Sequence, residues 1–241
     1  MTASTPDPTE FAPLFRSREV VQGRDDDLLK QAFELRYQVY CQECGYLPAA
    51  NYPDRREVDP YDASSAHFCA FNLRDEMVGY ARMVHPDLTQ SFPFQSHCHD
   101  LLAGATLAPP QQTVEISRLM VIQAYRRRRG DVLAGLTVEE DLSQVNHDLR
   151  DHTPQILFSL YRQMYAFSLA HGTNYWYAAM ERTLARALGQ MGFAFVQIGP
   201  LTDYYGPVAL YLGDLREMEA QVEQTHPALM AWMRQGDAGV H

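Results

Sequence analysis

The 241-residue chain predicts an α/β fold, a mixed central sheet flanked by helices in one layered domain. Three observations carry this. Stretches with helical spacing alternate with short segments rich in β-branched and aromatic residues, in the order helix, three strands, helix, strand, helix, two strands. Hydrophobic residues make up 46% of the chain and charged residues 21%, which supplies one sizeable core. No internal repeat is present. The domain is expected over 23–215, after a loose lead-in over 1–22 and before a C-terminal helix and tail over 216–241.

Residues 1–22 mix Thr, Pro, Ser and Asp with few apolar side chains. Asp25, Asp26 and Asp27 then offer a cap and favourable charge to a helix whose apolar face reads Leu28, Ala32, Leu35 and Val39, with Gly45 as its stop. Residues 46–65 hold Pro48, Pro53 and Pro60 and the acidic cluster Glu57, Asp59 and Asp62, and predict a long surface loop of functional type. Strands are expected at Ala66–Leu73, Met77–Val84 and Thr113–Ile122, with a Pro- and His-containing excursion over Asp87–Gln112. A polar, acidic stretch follows the third strand over Asp131–His152. Ile156, Leu160, Met164 and Phe167 then mark a helix over Pro154–His171. Tyr175–Met180 reads as a strand and Thr183–Met191 as a helix closed by Gly192. Strands follow at Ala194–Ile198 and Val208–Leu212, and a polar helix spans 216–235.

Lys and Arg number 20 against 30 Asp and Glu, a formal charge of −10. A chain this acidic repels nucleic acid and anionic membrane, so neither is expected as a partner. The longest uncharged stretch, between Arg162 and Glu181, is interrupted by Gln163, Ser168, His171, Gly172 and Asn174 and is too polar to span a bilayer. Asp7 and Glu10 stand where a signal peptide carries Lys or Arg. Four cysteines are too few for a disulfide scaffold of this size. The expectation is a cytoplasmic protein without a transmembrane segment.

The segment Val114-Glu-Ile-Ser-Arg-Leu-Met-Val121 is the most informative. A carboxylate and a guanidinium three apart in an apolar strand are costly to bury unless paired. In a regular strand Glu115 and Arg118 face opposite sides; a bulge between them would bring both to one side. Taken alone, the pair fits either a buried ion pair, with Arg82 as a further member, or a catalytic site. Arg126 to Arg129 followed by Gly130 suit a diphosphate or an acidic carrier protein, or form a solvated basic turn. Cys41-x-x-Cys44 stands without a second such pair and reads as two packing cysteines. His97-Cys98-His99-Asp100 places adjacent residues that converge poorly on one ion, so no metal site is expected.

The strings FELRYQVYCQECGYL (33–47), DPYD (59–62), GYARMV (79–84) and EISRLMV (115–121) resemble the branch of GNAT-type acyltransferases that contains acyl-homoserine-lactone synthases and long-chain N-acyl amino acid synthases. YPDRREVDPYDASSAHF (52–68), FPFQSHC (92–98) and DYYGPVALYLGDL (203–215) are more similar to the acyltransferases associated with PEP-CTERM/exosortase systems. The resemblance covers about residues 28–215 in the same order. It implies a GNAT fold and acyl transfer from a phosphopantetheine thioester to an amine, with no bound cofactor and with acyl carrier protein or coenzyme A as donor.

The resemblance also implies roles. Glu115 is the expected base, and Arg36, Tyr40, Asp59, Asp62, Arg82 and Arg118 are the expected acceptor-binding set. Leu119, Met120 and Val121 would offer backbone groups to the pantetheine arm where their strand splays from its neighbour, with Arg126, Arg127, Arg128, Arg129 and Gly130 at the donor phosphates. Two departures stand out. Tyr46 occupies the place where lactone synthases usually carry Trp, which weighs against an S-adenosylmethionine acceptor. The RRRRGD loop lacks the second glycine of ordinary GNAT enzymes, which leaves a carrier-protein donor at least as suitable as free coenzyme A. The chemistry matches the residue types: aminolysis of a thioester needs a base, an oxyanion donor and an acceptor clamp. A lactone-forming signal synthase and a non-catalytic carrier-binding module are the competing readings. The Glu115/Arg118 and Asp59/Asp62 sets argue against the module, since a binder needs no base.

Overall fold

A computed structural model of the chain describes residues 15–85, 91–125 and 153–235. Its centre is a seven-stranded sheet of β1 (Arg16–Val20), β2 (Ser65–Phe71), β3 (Met77–Val84), β4 (Thr113–Val121), β5 (Tyr175–Met180), β6 (Val196–Asp203) and β7 (Pro207–Asp214). The spatial order is β1-β2-β3-β4-β5-β7-β6. Every neighbouring pair is antiparallel except β4–β5, which is parallel. The helices are α1 (Asp26–Tyr37), α2 (Thr153–Ala170), α3 (Arg182–Gln190), α4 (Leu215–Thr225) and α5 (Pro227–Arg234). None of the described helices is long and apolar enough to cross a membrane.

Strand alternation sends Val114 and Ile116 to one face of the sheet, where α2 covers them with the fully buried Ile156, Leu160 and Met164. Each such side chain contributes roughly 1.5–3 kcal/mol by leaving water. Gly79 permits this approach, because a Cβ there would lie 2.7 Å from the Ile156 Cγ2. The opposite face carries α1, whose Leu29, Ala32 and Leu35 pack on Cys69, Tyr80 and Met120. Beside α1 on that face, the segment after residue 91 lays Phe92, Phe94 and Cys98 over Tyr177, Ile198 and Leu210. The gap between these two coverings holds the polar residues described below.

Two features of β4 shape that gap. It pairs with β5 only over Thr113–Ile116 against Tyr175–Ala178, after which the strands diverge. The register against β3 shifts between Tyr80↔Met120 and Arg82↔Ser117, so Arg118 and Leu119 together oppose Ala81. This is a bulge, with Arg118 in the left-handed region at φ 55°. The extra residue puts Glu115 and Arg118 on the same face, as anticipated.

Several boundaries differ from the sequence expectation. Residues 16–20, read as loose lead-in, form edge strand β1. Its alternation is hidden because one inward position is Ser17, whose hydroxyl donates to the Ser159 carbonyl (2.6 Å). The strand expected to end at Ile198 continues to Asp203; Pro200 sits in an edge strand at a register shift, where no ladder N–H is required. The polar helix over 216–235 is two helices, α4 and α5, broken where Pro227 follows an extended His226. Helix α5 is no loose tail: Leu229, Met230 and Met233 are buried in the α2-side core. Finally, the helix reaching Gly45 ends in a π-helical turn over Gln38–Glu43, and Gly45 stops it at φ 67°.

Candidate active site

Three guanidinium groups and three carboxylates meet between α1, the loop after it, and strands β3 and β4. Arg36 is on the sheet-facing side of α1 and has no exposed surface. Its Nε donates to Glu57 Oε2 (2.5 Å) and its Nη1 to Asp62 Oδ1 (2.5 Å). Arg82 on β3 donates through Nη1 to Asp59 Oδ1 (2.6 Å) and Asp62 Oδ1 (2.7 Å), and through Nε to the Ser117 hydroxyl (3.0 Å). Arg118 grips Glu57 with a fork, Nε to Oε2 at 3.1 Å and Nη2 to Oε1 at 3.0 Å, and reaches Asp59 Oδ2 at 3.2 Å. Its guanidinium also lies over the Tyr40 ring, 5.1 Å from the centroid.

The charges balance, and that is why the cluster can be buried. Burial alone would push the Glu57 carboxyl up, but Arg118 and Arg36 outweigh it and hold it at about 2. Asp62 is held at about 2 in the same way by Arg36 and Arg82, against its own burial. Asp59, Asp62 and Arg118 are the members nearest solvent, with side chains 18%, 11% and 10% exposed, whereas Glu57 is fully covered. Among the described residues, Arg36 Nη2 and Arg82 Nη2 have no hydrogen-bond partner. The loop therefore joins the fold through its acids, helped by the Glu57 N–H, which donates to the Phe33 carbonyl (3.0 Å).

His67 on β2 completes the support. The Asp62 carbonyl can only accept, so the imidazole proton is on Nε2 (3.1 Å), and Nδ1 accepts from the Tyr80 hydroxyl (2.7 Å). Burial lowers its pKa to about 4, so the ring is neutral.

Glu115 sits where β4 leaves β5. It is 2% exposed, and its Oε2 accepts from the Phe94 N–H (2.9 Å). Desolvation dominates its titration and pushes the carboxyl up to about 8, against the lowering effects of the Phe94 N–H, Arg82 and Arg118. Next to it, the turn between β6 and β7 brings Tyr204 onto His97, with ring centroids 4.0 Å apart, and Tyr205 within 6.3 Å of Tyr46. The Tyr204 hydroxyl feels the charges of both Arg118 and Glu115, so this aromatic pair is a neighbour of both groups. A buried carboxyl, a charge cluster and a widening gap between two parallel strands thus share one face of one sheet.

The residues expected from sequence converge to different degrees. Arg36, Asp59, Asp62, Arg82 and Arg118 form one network, Tyr40 stacks on it, and Glu115 stands beside it. Leu119, Met120 and Val121 line the diverging stretch of β4. Because the Ile122 N–H bonds to the Val78 carbonyl, alternation turns the Val121 backbone groups away from β3, toward the gap. Arg126 to Arg129 and Gly130 lie outside the described residues. Sequence reasoning noted Glu57 in the acidic cluster but gave it no place in the site; its two-residue spacing from Asp59 was the available signal. Nothing in the sequence marked His67, Ser117 or the Phe94 N–H.

The acetyltransferase (GNAT) domain family matches residues 35–135. The match is to the domain over that stretch, which contains the whole charge cluster and Glu115, and it assigns the chain to the acyltransferase class of enzymes. No protein of curated function matches the chain in sequence. Among solved structures, the GNAT-type fold is shared with TofI in a ternary complex with an inhibitor and MTA, at TM-score 0.61 and 18% identity over 89% of this chain and 99% of that one. BjaI, a CoA-dependent acyl-homoserine lactone synthase solved with SAM and isopentyl-CoA, matches at 0.60 and 19% over 90% and 89%. The AHL synthase LasI matches at 0.61 and 17% over 88% and 93%. At these identities the likeness is one of fold. Among the described residues no group of three or more His, Cys, Asp or Glu is placed to hold a metal, and Cys41, Cys44, Cys69 and Cys98 are free thiols.

Proposed function

We propose that the enzyme moves an acyl group, long-chain in its natural reaction, from a phosphopantetheine thioester directly to the amine of an amino acid-like acceptor. The observation that carries this reading is Glu115: a buried carboxylate pushed up to about 8, between a gap in the sheet and a cluster of Arg and Asp. The amine nitrogen attacks the thioester carbonyl, the C–N bond forms, and the C–S bond breaks as the thiolate leaves. Glu115, directly or through a water, takes one proton of the bound ammonium group and passes it to solvent, which frees the lone pair; the second proton leaves nitrogen as the C–N bond forms and neutralises the departing thiolate. Val121 and its neighbours Leu119 and Met120 supply backbone groups along the pantetheine arm. The acceptor's ammonium group meets Asp59 and Asp62. Its carboxylate meets Arg118, with the spare Nη2 groups of Arg36 and Arg82 behind. None of the four cysteines is in a disulfide, which suits a reducing compartment, so the proposal puts the reaction in the cytoplasm.

Thiol release is the direct assay. A free amino acid should react far faster than its methyl ester; equal rates would remove the carboxylate clamp. Mass spectrometry of the product separates this reading from lactone synthesis, the activity named for BjaI and LasI, which would consume S-adenosylmethionine. Absence of thiol release with every amine tried would leave only the carrier-binding module.

For the donor, we propose acyl carrier protein, with Arg126 to Arg129 as its docking charges. Neutralising all four should slow transfer from the carrier at low ionic strength and flatten its salt dependence. An unchanged rate at low salt returns the run to a solvated turn.

A further inference from the structure

Beside β1, the last of the described strands on its side of the sheet, is a cavity of about 440 Å³ with no lining residue from β4 or the charge cluster. A volume in this range suits a small organic ligand, for which ~300–1,000 Å³ is usual. Its apolar lining comes from four separate elements: Phe15 before β1, Leu28 on α1, Phe71 at the end of β2, and Trp232 on α5. Among the described residues its charged lining is one-sided, with the guanidinium groups of Arg16, Arg18 and Arg162 against the one carboxylate of Asp75. In a chain of net charge −10 this is a local positive basin.

Arg16, Arg18 and Trp232 there are incompletely matched. Arg16 pairs with Asp75 (2.6 Å) and Arg18 reaches Asp25 only at 3.4 Å, both through side chains about half exposed. The Arg162 guanidinium lies over the Trp232 ring, 4.7 Å from its centroid. Trp232 is 7% exposed, yet its Nε1–H has no hydrogen-bond partner among the described residues. A buried indole N–H without an acceptor is costly, and an acceptor atom entering the cavity would relieve it.

We propose that this cavity binds an amphipathic monocarboxylate, with its apolar body against Phe15, Phe71 and Trp232 and its carboxylate held by the arginines and the indole N–H. An apolar body alone would leave the guanidinium field unused, and a cation would be repelled by it. The site is separate from the acyl-transfer site and does not rest on the function proposed for Glu115.

The probe is 10-bromodecanoate, added to the full-length protein, with tryptophan fluorescence as the readout, since bromine quenches an indole it touches. The chain has two tryptophans, and the other, Trp176, is buried with its N–H on the Ser168 hydroxyl. Saturable quenching is expected at micromolar probe. Decanoate should compete with it, whereas decanol and decylammonium should compete at least tenfold less well. The double variant Arg16→Gln/Arg18→Gln, altered only at half-exposed positions, should weaken binding about tenfold while keeping the wild-type melting temperature. Trp232→Phe should remove most of the signal. The proposal is overturned by an absence of saturable quenching up to millimolar probe, by equal competition from decylammonium, or by unchanged affinity in the double variant. Displacement of the probe by a decyl thioether of coenzyme A would also overturn it, since the ligand would then be in the donor site. Competition by an extended peptide instead of decanoate would assign the cavity to strand addition on the β1 edge.

Discussion

Glu115→Gln is expected to lower turnover by ~10²-fold or more while raising the stability of the fold at alkaline pH. Both effects follow from the same buried carboxyl. As a base it must be ionised, and with a pKa of about 8 it is mostly protonated at neutral pH. The wild-type rate should therefore climb about tenfold per unit below pH 8 and level off above it. For stability the direction is reversed. In the unfolded chain the carboxyl ionises near its ordinary 4.5, so the folded state binds the extra proton between 4.5 and about 8. Its contribution is fully present below 4.5 and is lost as pH rises toward 8, after which the fold carries a desolvated charge. Glutamine keeps an oxygen for the Phe94 N–H and never ionises. The variant should match wild type at pH 4.5 and exceed it by a few kcal/mol above pH 8, read by denaturant titration at both pH values. An inactive variant with no alkaline gain would mean that Glu115 is already ionised and that its role lies elsewhere. Gain without loss of activity would remove it as the base.

Glu57→Ala should be the most damaging single substitution in the charge cluster, costing about 3–5 kcal/mol. Among the described residues Glu57 is the one carboxylate that hydrogen-bonds both Arg36 and Arg118, Asp59 reaching Arg36 only at 3.9 Å, and its removal leaves two buried guanidinium groups without that counter-charge. In a domain of this size the melting temperature should fall on the order of 10 °C. The acid limb of stability gives an independent reading. Glu57 and Asp62 are held at about 2, so their contribution is present above their ordinary values near 4 and disappears as pH falls toward 2. In Glu57→Ala this limb should flatten, because one of the two groups that generate it is gone. Glu57→Gln keeps the shape and loses the charge; a melting temperature equal to wild type in that variant would show that packing, and not charge balance, holds the loop.

What the sequence made legible was set by which physical signal each element leaves behind. α2 and β2 to β5 declared themselves because one or both of their faces are apolar, so periodicity alone finds them. β1 did not, since one of its inward positions is a serine bonded to α2, and an edge strand needs few apolar residues. The break at His226 was missed because two short helices in succession present nearly the same period as one, despite Pro227. In the site, Glu115, Arg118 and Arg82 were legible because charges in apolar strands are conspicuous, whereas Arg36, Asp59 and Asp62 were assigned to it by the family resemblance. Glu57 was passed over although it is the most buried acid of the three, because an acid in a polar loop reads as solvated. Contacts made by backbone, such as the Phe94 N–H on Glu115, leave no trace in side-chain identity at all.

The extra residue in β4 also bears on how this strand can vary over evolutionary time. The bulge uses one residue without advancing the register, so deleting Arg118 would leave Arg82↔Ser117, Ala81↔Leu119 and Tyr80↔Met120 as an unbroken ladder, with Leu119 and Met120 on the faces they already occupy. The strand can therefore lose this residue without exchanging its faces. What it cannot keep is a third guanidinium beside Glu57 and Asp59, because in a regular strand no residue between Ser117 and Met120 points to that side. A homologue one residue shorter here should keep the fold and the α2-side core while losing the Arg118 side of the charge cluster.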